Sequence, residues 1–317
     1  MGYNVEIVSA EESSRLRSEC AGRALFSSKV DISGLCVELL TSDRDHVSMW
    51  EDNFYSMSEH TRAHAKIYSV SDPGRGMEVF YDPSTKAAFL FNFDYYGWIK
   101  SIALGVSGDI LEEGHGIHSV HGAALDIDGV GVTLIAPSKT GKTTQSWGLL
   151  RMDNAHLITD DWYFVRLGKG RPVAYGSEKN CYIDADIGDV WEEYKPLVKS
   201  VRFDNRGRGI ANVRWVAGES SVMPAASVRH VFLMKRDPSD PTVIRRMTPA
   251  EGVEYMASND MCNPHQMVRG PRKSEIRRRF ASEYFSACDV HLVNTILPPR
   301  ETQEAIRGAL FGREGGA

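Results

Sequence analysis

The spacing of apolar residues divides this chain of 317 residues into short strands and amphipathic helices. Period-two alternation and short apolar runs between turn residues indicate strands, whereas apolar residues three or four apart indicate helices. In the first hundred residues this pattern predicts strands at 3–8, 34–40, 65–70, 78–81 and 87–93, and helices at 11–20 and 43–60. We therefore expect residues 1–100 to form a small α+β module and residues 101–317 to form a second domain.

The remaining two thirds of the chain alternate more regularly between apolar strands and helices. The pattern predicts strands at 117–127, 130–135, 156–164, 228–234, 242–246 and 290–293, a hairpin at 165–175, and helices at 98–113, 144–152, 186–198, 249–256, 274–287 and 300–311. Such alternation is typical of an α/β domain. With the N-terminal module included, we expect the chain as a whole to be an α+β protein.

Composition and charge narrow the possible partners. Charged residues make up 25% and hydrophobic residues 42% of the chain, as in ordinary soluble proteins, and the net charge is −5. The negative charge argues against a nucleic-acid partner, and the apolar runs are too short to span a membrane. The first 15 residues do not have the pattern of a signal peptide, and the scattered cysteines include no C-x-x-C pair. We expect a cytoplasmic protein with reduced thiols.

A phosphate-binding loop is predicted between the strand 130–135 and the helix 144–152. In such a loop, backbone N–H groups meet a polyphosphate at the positive end of the helix. Lys142 would reach the β- and γ-phosphates, and the Thr143 hydroxyl would bind Mg²⁺. Ala136 occupies the position where the pattern has glycine. The residues expected to contact the nucleotide are Ser138, Lys139, Thr140, Gly141, Lys142, Thr143 and Thr144.

A histidine and two acids flank this loop in the sequence. A tight turn at Asp128-Gly129 makes a hairpin that would bring His121 beside the loop. A lone histidine in a strand is often a core residue, but this location makes His121 a candidate for the site. Asp160 and Asp161 interrupt an apolar strand, so they could hold Mg²⁺ directly or through water, or one could accept a proton from an attacking hydroxyl.

A glycine- and arginine-rich segment at 203–213 is a further candidate for phosphate contact. Two glycines around Arg208 allow close approach of the backbone, Arg206 and Arg208 supply positive charge, and Asp204 is a spare metal ligand. Without the other motifs, this segment would be interpreted as a basic turn.

Together these motifs resemble the HPr kinase/phosphorylase family, whose fold is shared with phosphoenolpyruvate carboxykinases. The likeness covers roughly residues 117–300. It includes a His-Gly pair, the loop itself and an acidic pair that begins 18 residues after the loop lysine. The most specific match is Asp204-x-Arg206-Gly207-x-Gly209-Ile210-x-Asn212-Val213, which is similar to the family signature Glu-x-Arg-Gly-x-Gly-Ile-x-Asn/Asp-Val. Lys139 and Asp204 replace a glycine and a glutamate of the family pattern. Residues 268–273 are similar to a basic loop tied to phosphorolysis.

The resemblance implies a carboxykinase-like P-loop core of mixed sheet and helices, and a role for each matched residue. Lys142, the loop amides and Arg206 would hold ATP. Thr143 and Asp204 would ligate Mg²⁺, with Asp161 as a third or outer partner. Asp160 would be the general base, His121 would orient that base or the phosphoryl group, and Arg246 would stabilise developing charge.

We therefore expect a Mg²⁺-dependent phosphotransferase that moves a phosphoryl group from ATP, or from another nucleotide or pyrophosphate, to the hydroxyl of a protein or peptide serine. We expect a homo-oligomer. Three alternatives stay open: a kinase of a small metabolite such as free serine, a non-catalytic nucleotide-sensing module, and a carboxykinase-type lyase. The lyase is the weakest alternative, because no Lys/His manganese site is evident in the sequence.

Overall fold

The computed structural model describes residues 3–201, 203, 207–214 and 218–312. The chain forms two compact units. Unit 1 comprises the residues up to Ser119 together with Ser177–Lys179 and Pro264–Ser274, and unit 2 comprises Val120–Gly176, Asn180–Asn263 and the residues from Glu275 onward. Each unit has its own sheet.

Unit 1 is built on a mixed sheet flanked by helices. Its elements are β1 (Val5–Ile7), α1 (Ala10–Ala21), β2 (Phe26–Ile32), β3 (Leu35–Thr41), α2 (Arg44–Asn53), β4 (Tyr55–Ser56), β5 (Ala65–Val70), β6 (Glu78–Asp82), β7 (Ala87–Phe91) and α3 (Tyr96–Gly114). The strand order is β1-β6-β7-β5-β3-β2-β4. Ser9 caps α1 by accepting a hydrogen bond from the Glu12 amide, and the buried face of α1 packs on aromatic residues of β5 and β7.

Unit 2 contains the predicted phosphate loop. Its elements, with β8 and α8 beginning in unit 1, are β8 (Ile117–Ile127), β9 (Val130–Ile135), α4 (Lys142–Leu149), β10 (Ala155–Thr159), β11 (Trp162–Arg166), β12 (Val173–Gly176), β13 (Asn180–Asp184), α5 (Ile187–Val190), α6 (Lys195–Ser200), β14 (Arg208–Asn212), β15 (Ala225–Lys235), β16 (Ile244–Met247), α7 (Pro249–Ser258), α8 (Pro271–Ser286), β17 (Asp289–Asn294) and α9 (Pro299–Leu310).

The main sheet of unit 2 has the order β10-β8-β11-β12-β15-β17-β16, and β9 pairs with β8 and β15. β9 runs antiparallel to β8 and parallel to β15, which in turn is parallel to β17. The carboxyl ends of β9, β15 and β17 therefore meet at one edge of the sheet. β13 and β14 form a separate antiparallel pair.

These elements confirm the mixed α/β class, with α+β character overall, that the sequence predicts. Three predicted elements differ in detail. The predicted helix 43–60 ends at Asn53, and the strand 156–164 is interrupted at Asp160 and Asp161. The helix 186–198 is broken because Trp191 is extended between α5 and a 3₁₀ turn. Strand β2 was not predicted, because only Val30 and Ile32 supply apolar side chains to its buried face.

Across the described residues, no helix combines the length and the apolar character that crossing a membrane requires.

Candidate functional site

The loop between β9 and α4 ends in an open helix terminus. Gly141, the N-cap residue of α4, has φ 90° and provides no side-chain cap. The N–H groups of the first helical turn have no partner within the helix, so they can bind an anion. Lys139 is also left-handed, with φ 66°, a conformation that costs a non-glycine residue about 1–3 kcal/mol and that is concentrated at ligand sites.

Two threonine hydroxyl groups hold the backbone of the loop in place. The Thr140 hydroxyl donates to the Pro137 carbonyl at 2.8 Å, and the Thr295 hydroxyl donates to the Thr140 carbonyl at 2.8 Å. Ala136 is buried, and it is absent from the described residues that have positive φ. The alanine therefore fits where the sequence pattern has glycine.

Three of the predicted site residues come together beside the loop. Lys142 Nζ lies 2.6 Å from Asp161 Oδ1, and His121 Nε2 lies 3.1 Å from the same oxygen. The side chains of Lys142 and His121 are 11% and 13% exposed, whereas that of Asp161 is 29% exposed. Two basic groups thus share one partly exposed carboxylate oxygen.

Backbone pairing brings His121 to this cluster. The amide of Gly122 donates to the Asp161 carbonyl at 2.9 Å, which fixes β8 against the turn that carries the acids. A Cβ at Gly122 would lie 2.7 Å from the Leu134 carbonyl, so only glycine allows the strands to approach this closely. The other side of the His121 ring is also occupied, because Nδ1 lies 2.7 Å from the Cys262 carbonyl.

The two adjacent acids have different environments. Asp160 is 2% exposed, and its Oδ2 accepts a hydrogen bond from the Tyr182 amide at 2.9 Å, so it faces β13. Strand β14 of the arginine-glycine segment pairs with β13, with Tyr182 opposite Ile210. Asp204 and Arg206 themselves lie outside the described residues, and their predicted roles stay predictions.

The structure does not bring Arg246 to the loop. Arg246 lies on β16, which β15 and β17 separate from β9, so at ordinary strand spacing it is roughly 14 Å away across the sheet. Its side chain is 74% exposed and pairs with Asp289 at 2.6 Å, at the amino end of β17.

A different arginine, which the sequence analysis did not single out, lies at the loop edge. Arg236 follows the carboxyl end of β15, and its Nε donates to Thr295 Oγ1 at 3.3 Å. That threonine is the one that holds the Thr140 carbonyl. Arg236 is exposed, and none of the ion pairs of the described residues involves it. In the sequence, the only sign of Arg236 as a site residue is that it closely follows a predicted strand.

The donor atoms at the loop suit a hard cation. The Thr143 hydroxyl and the Asp161 carboxylate are oxygen ligands of the kind that Mg²⁺ prefers. Within the described part of the chain, no group of three or more His, Cys, Asp or Glu side chains could hold a metal ion. Mg²⁺ commonly completes a site of one or two protein oxygens with water and phosphate oxygens.

Comparisons with known proteins give little further guidance. No protein-family profile matches the chain, and no curated protein matches it. Among solved structures, the Hpr(Ser) kinase/phosphatase from Coxiella burnetii is similar at 14% identity, over 62% of this chain and 93% of that chain, with a TM-score of 0.35. A likeness of that size does not establish a shared fold.

Proposed function

We propose that this protein is a Mg²⁺-dependent phosphotransferase that moves a phosphoryl group from ATP, or from a related polyphosphate donor, to a hydroxyl. The observation that carries the proposal is the meeting of Lys142, His121 and Asp161 at the open N-terminus of α4. Helix N–H groups and a nearby ammonium are the usual means of holding phosphates.

Phosphate binding would exchange the partners of Lys142. The ammonium now donates to Asp161, and it would turn to the β- and γ-phosphate oxygens while the loop amides from Ser138 to Thr144 bind the remaining oxygens. The Asp161 carboxylate would then be released for another partner. Thr143 and Asp161, with Asp204 as the residue implied by the resemblance, would hold Mg²⁺, which would neutralise charge on the transferring phosphoryl group.

The proton of the attacking hydroxyl needs an acceptor, and the two acids are the candidates. The resemblance assigns this role to Asp160, which is buried and bonded to the Tyr182 amide. The greater exposure of Asp161 supports the alternative. Replacing each acid by asparagine distinguishes them: the base variant should bind nucleotide and lose transfer, whereas the variant of a metal ligand should lose metal-dependent binding.

Developing negative charge would be balanced by His121 and by an arginine. Arg246 is the arginine that the resemblance implies, but Arg236 has the better support, because it is linked through Thr295 to the loop backbone. Electrostatic stabilisation of this kind typically supplies most of the rate enhancement in phosphoryl transfer.

The proposal includes a carboxykinase-like core in residues 101–317 with an N-terminal module in residues 1–100, a cytoplasmic location and a homo-oligomeric state. The acceptor would be a serine of a protein or peptide. A small-metabolite kinase on the same core is the principal alternative, because loops determine the choice of acceptor.

The test is incubation with ATP labelled at the γ-phosphate and Mg²⁺, first with a panel of small hydroxyl metabolites and then with cell extract. Label on a protein serine supports the proposal, whereas label on a metabolite favours the alternative. The Lys142→Ala variant is the control and should transfer no label. Nucleotide binding without transfer to any acceptor would favour a nucleotide-sensing module.

A further inference from the structure

We propose that the turn Asp260–Cys262 is a positioning element for His121. The carbonyl of Cys262, the last residue of the turn, determines which ring nitrogen of His121 carries the proton. The catalytic consequence of this proposal rests on the proposed phosphotransferase function. The contact itself does not, because it can be measured without any reaction. Cys262 acts here through its main chain and is therefore a positioning residue.

The hydrogen bond determines the chemistry of the ring. His121 Nδ1 lies 2.7 Å from the Cys262 carbonyl oxygen, and a carbonyl can only accept, so Nδ1 must carry hydrogen. In the neutral ring, Nε2 then has the lone pair; in the charged ring, Nε2–H donates to Asp161 at 3.1 Å. In both states Nε2 is the nitrogen presented to the phosphate loop.

The backbone that supplies this carbonyl has an uncommon conformation. Asp260, Met261 and Cys262 have φ values of 51°, 55° and 52°, three consecutive left-handed residues without a glycine. L-residues avoid such runs for steric reasons, and they persist only where the surroundings hold them. Aspartate tolerates this region better than methionine or cysteine.

Local contacts hold the turn in this conformation. The Cys262 amide donates to the Asn259 carbonyl at 2.8 Å, and the Asn263 amide donates to the Asp260 carbonyl at 3.1 Å. The Cys262 side chain is buried in a core cluster that includes Tyr284, and burial raises the pKa of its thiol to about 12. The side chain thus anchors the turn as a neutral group, while the carbonyl points to His121.

The first experiment is nitrogen NMR of the full chain with ¹⁵N-labelled histidine, using His121→Gln to identify the His121 signals. We expect Nδ1 to be protonated and its proton to exchange slowly with solvent. A neutral ring with the proton on Nε2, or an Nδ1 proton that exchanges at the rate of free imidazole, would overturn the proposal. This measurement needs no phosphoryl acceptor, so it tests the positioning proposal even if no phosphoryl transfer is found.

The second experiment changes the turn at its first residue, the exposed Asp260, which is not among the residues proposed to touch nucleotide or metal. Asp260→Gly allows positive φ, so the turn can still form and the protonated Nδ1 signal should be retained. Asp260→Pro fixes φ near −65°, so the turn cannot form. We expect it to lose the protonated Nδ1 signal and to lower kcat about 10- to 100-fold, with the KM for nucleotide changed less than about twofold, because the loop is untouched.

Retention of the Nδ1 signal in Asp260→Pro, or equal loss of kcat in the proline and glycine variants, would contradict the positioning role. Asp260→Val, which also disfavours positive φ, serves as the test if the proline variant does not fold.

Discussion

Two clusters of charged side chains, one in each unit, hold a lysine in different ways. In unit 2, Lys142 and His121 share one oxygen of Asp161, which is partly exposed. In unit 1, a single buried ammonium is enclosed by three carboxylates: Lys273 Nζ lies 2.8 Å from Asp109, 3.0 Å from Glu112 and 2.9 Å from Glu113. Lys142 thus pairs with one carboxylate and Lys273 with three, although Asp109 and Glu113 also have Lys86 and Arg272 as further partners.

This difference separates a site from a structural contact. Burial by itself lowers the pKa of Lys273, but its hydrogen bonds to Asp109 and Glu113 outweigh that effect, so the pKa is raised. Lys273 is thus committed to holding residues of unit 1 together, although it belongs to the basic segment 268–273 that the resemblance ties to phosphorolysis. A lysine with three carboxylate partners is poorly suited to bind phosphate.

The largest expected effect is on the buried cluster. Lys273→Met leaves three carboxylates without their shared cation, and we expect the free energy of unfolding to fall by about 3–5 kcal/mol. Urea unfolding followed by circular dichroism measures this change. The matched control is Arg272→Met, because Arg272 is 78% exposed and lies 3.4 Å from Glu113. It should change stability by less than about 0.5 kcal/mol, and an equal loss in both variants would contradict the comparison.

In contrast, Lys142→Ala should reduce activity much more than stability. We expect the free energy of unfolding to change by less than about 1 kcal/mol, because Asp161 is partly solvated and keeps its contact with His121. Nucleotide-dependent turnover should fall at least about 100-fold, as measured by kcat/KM. Lys139→Ala, in the same loop and exposed, should retain most of the activity. Full activity in Lys142→Ala would remove the assignment of the phosphate loop.

His230 is a further basic group, and it is buried without a hydrogen-bonded counter-ion. Among the described residues, neither ring nitrogen of His230 has a hydrogen-bond partner. Burial lowers its pKa from 6.5 to about 4. Between these values the unfolded chain binds more protons than the folded one, so the contribution to stability is complete above pH 6.5 and is lost as the pH falls towards 4.

That loss should reach about 2–3 kcal/mol, measured as the free energy of unfolding at pH 7 and at pH 4. His230→Phe keeps a ring beside Phe232 but cannot titrate, so its pH dependence should be smaller by this amount. An unchanged pH dependence in the variant would show that His230 does not titrate in this range.

The smallest expected effect concerns the two arginines at opposite edges of the sheet. Arg236→Gln should raise the KM for nucleotide about tenfold, because a charge linked to the loop is removed. Arg246→Gln, at the exposed pair with Asp289, should change kcat and KM less than about twofold. Steady-state kinetics of both variants decides between them, and a collapse of kcat in Arg246→Gln would restore the role that the resemblance implies.

The sequence is informative where the determinants of structure are local. The loop, its lysine, the hairpin through Asp128-Gly129 and the adjacent acids follow from short patterns. The contacts that complete the site join distant segments through main-chain atoms: His121 to the Cys262 carbonyl, 141 residues apart, and Thr295 to the Thr140 carbonyl, 155 residues apart. Any residue can supply a carbonyl, so no side-chain pattern indicates these partners.

Under the proposed function, the contact between Lys142 and Asp161 also affects which anions the loop would bind. An internal carboxylate already occupies the ammonium, so an incoming anion must compete with it. A single inorganic phosphate would gain little from this exchange, whereas a polyphosphate that arrives with its own divalent ion would give the displaced carboxylate a new counter-charge. Under the proposed function, this pair would therefore favour a metal-bound polyphosphate over a single phosphate.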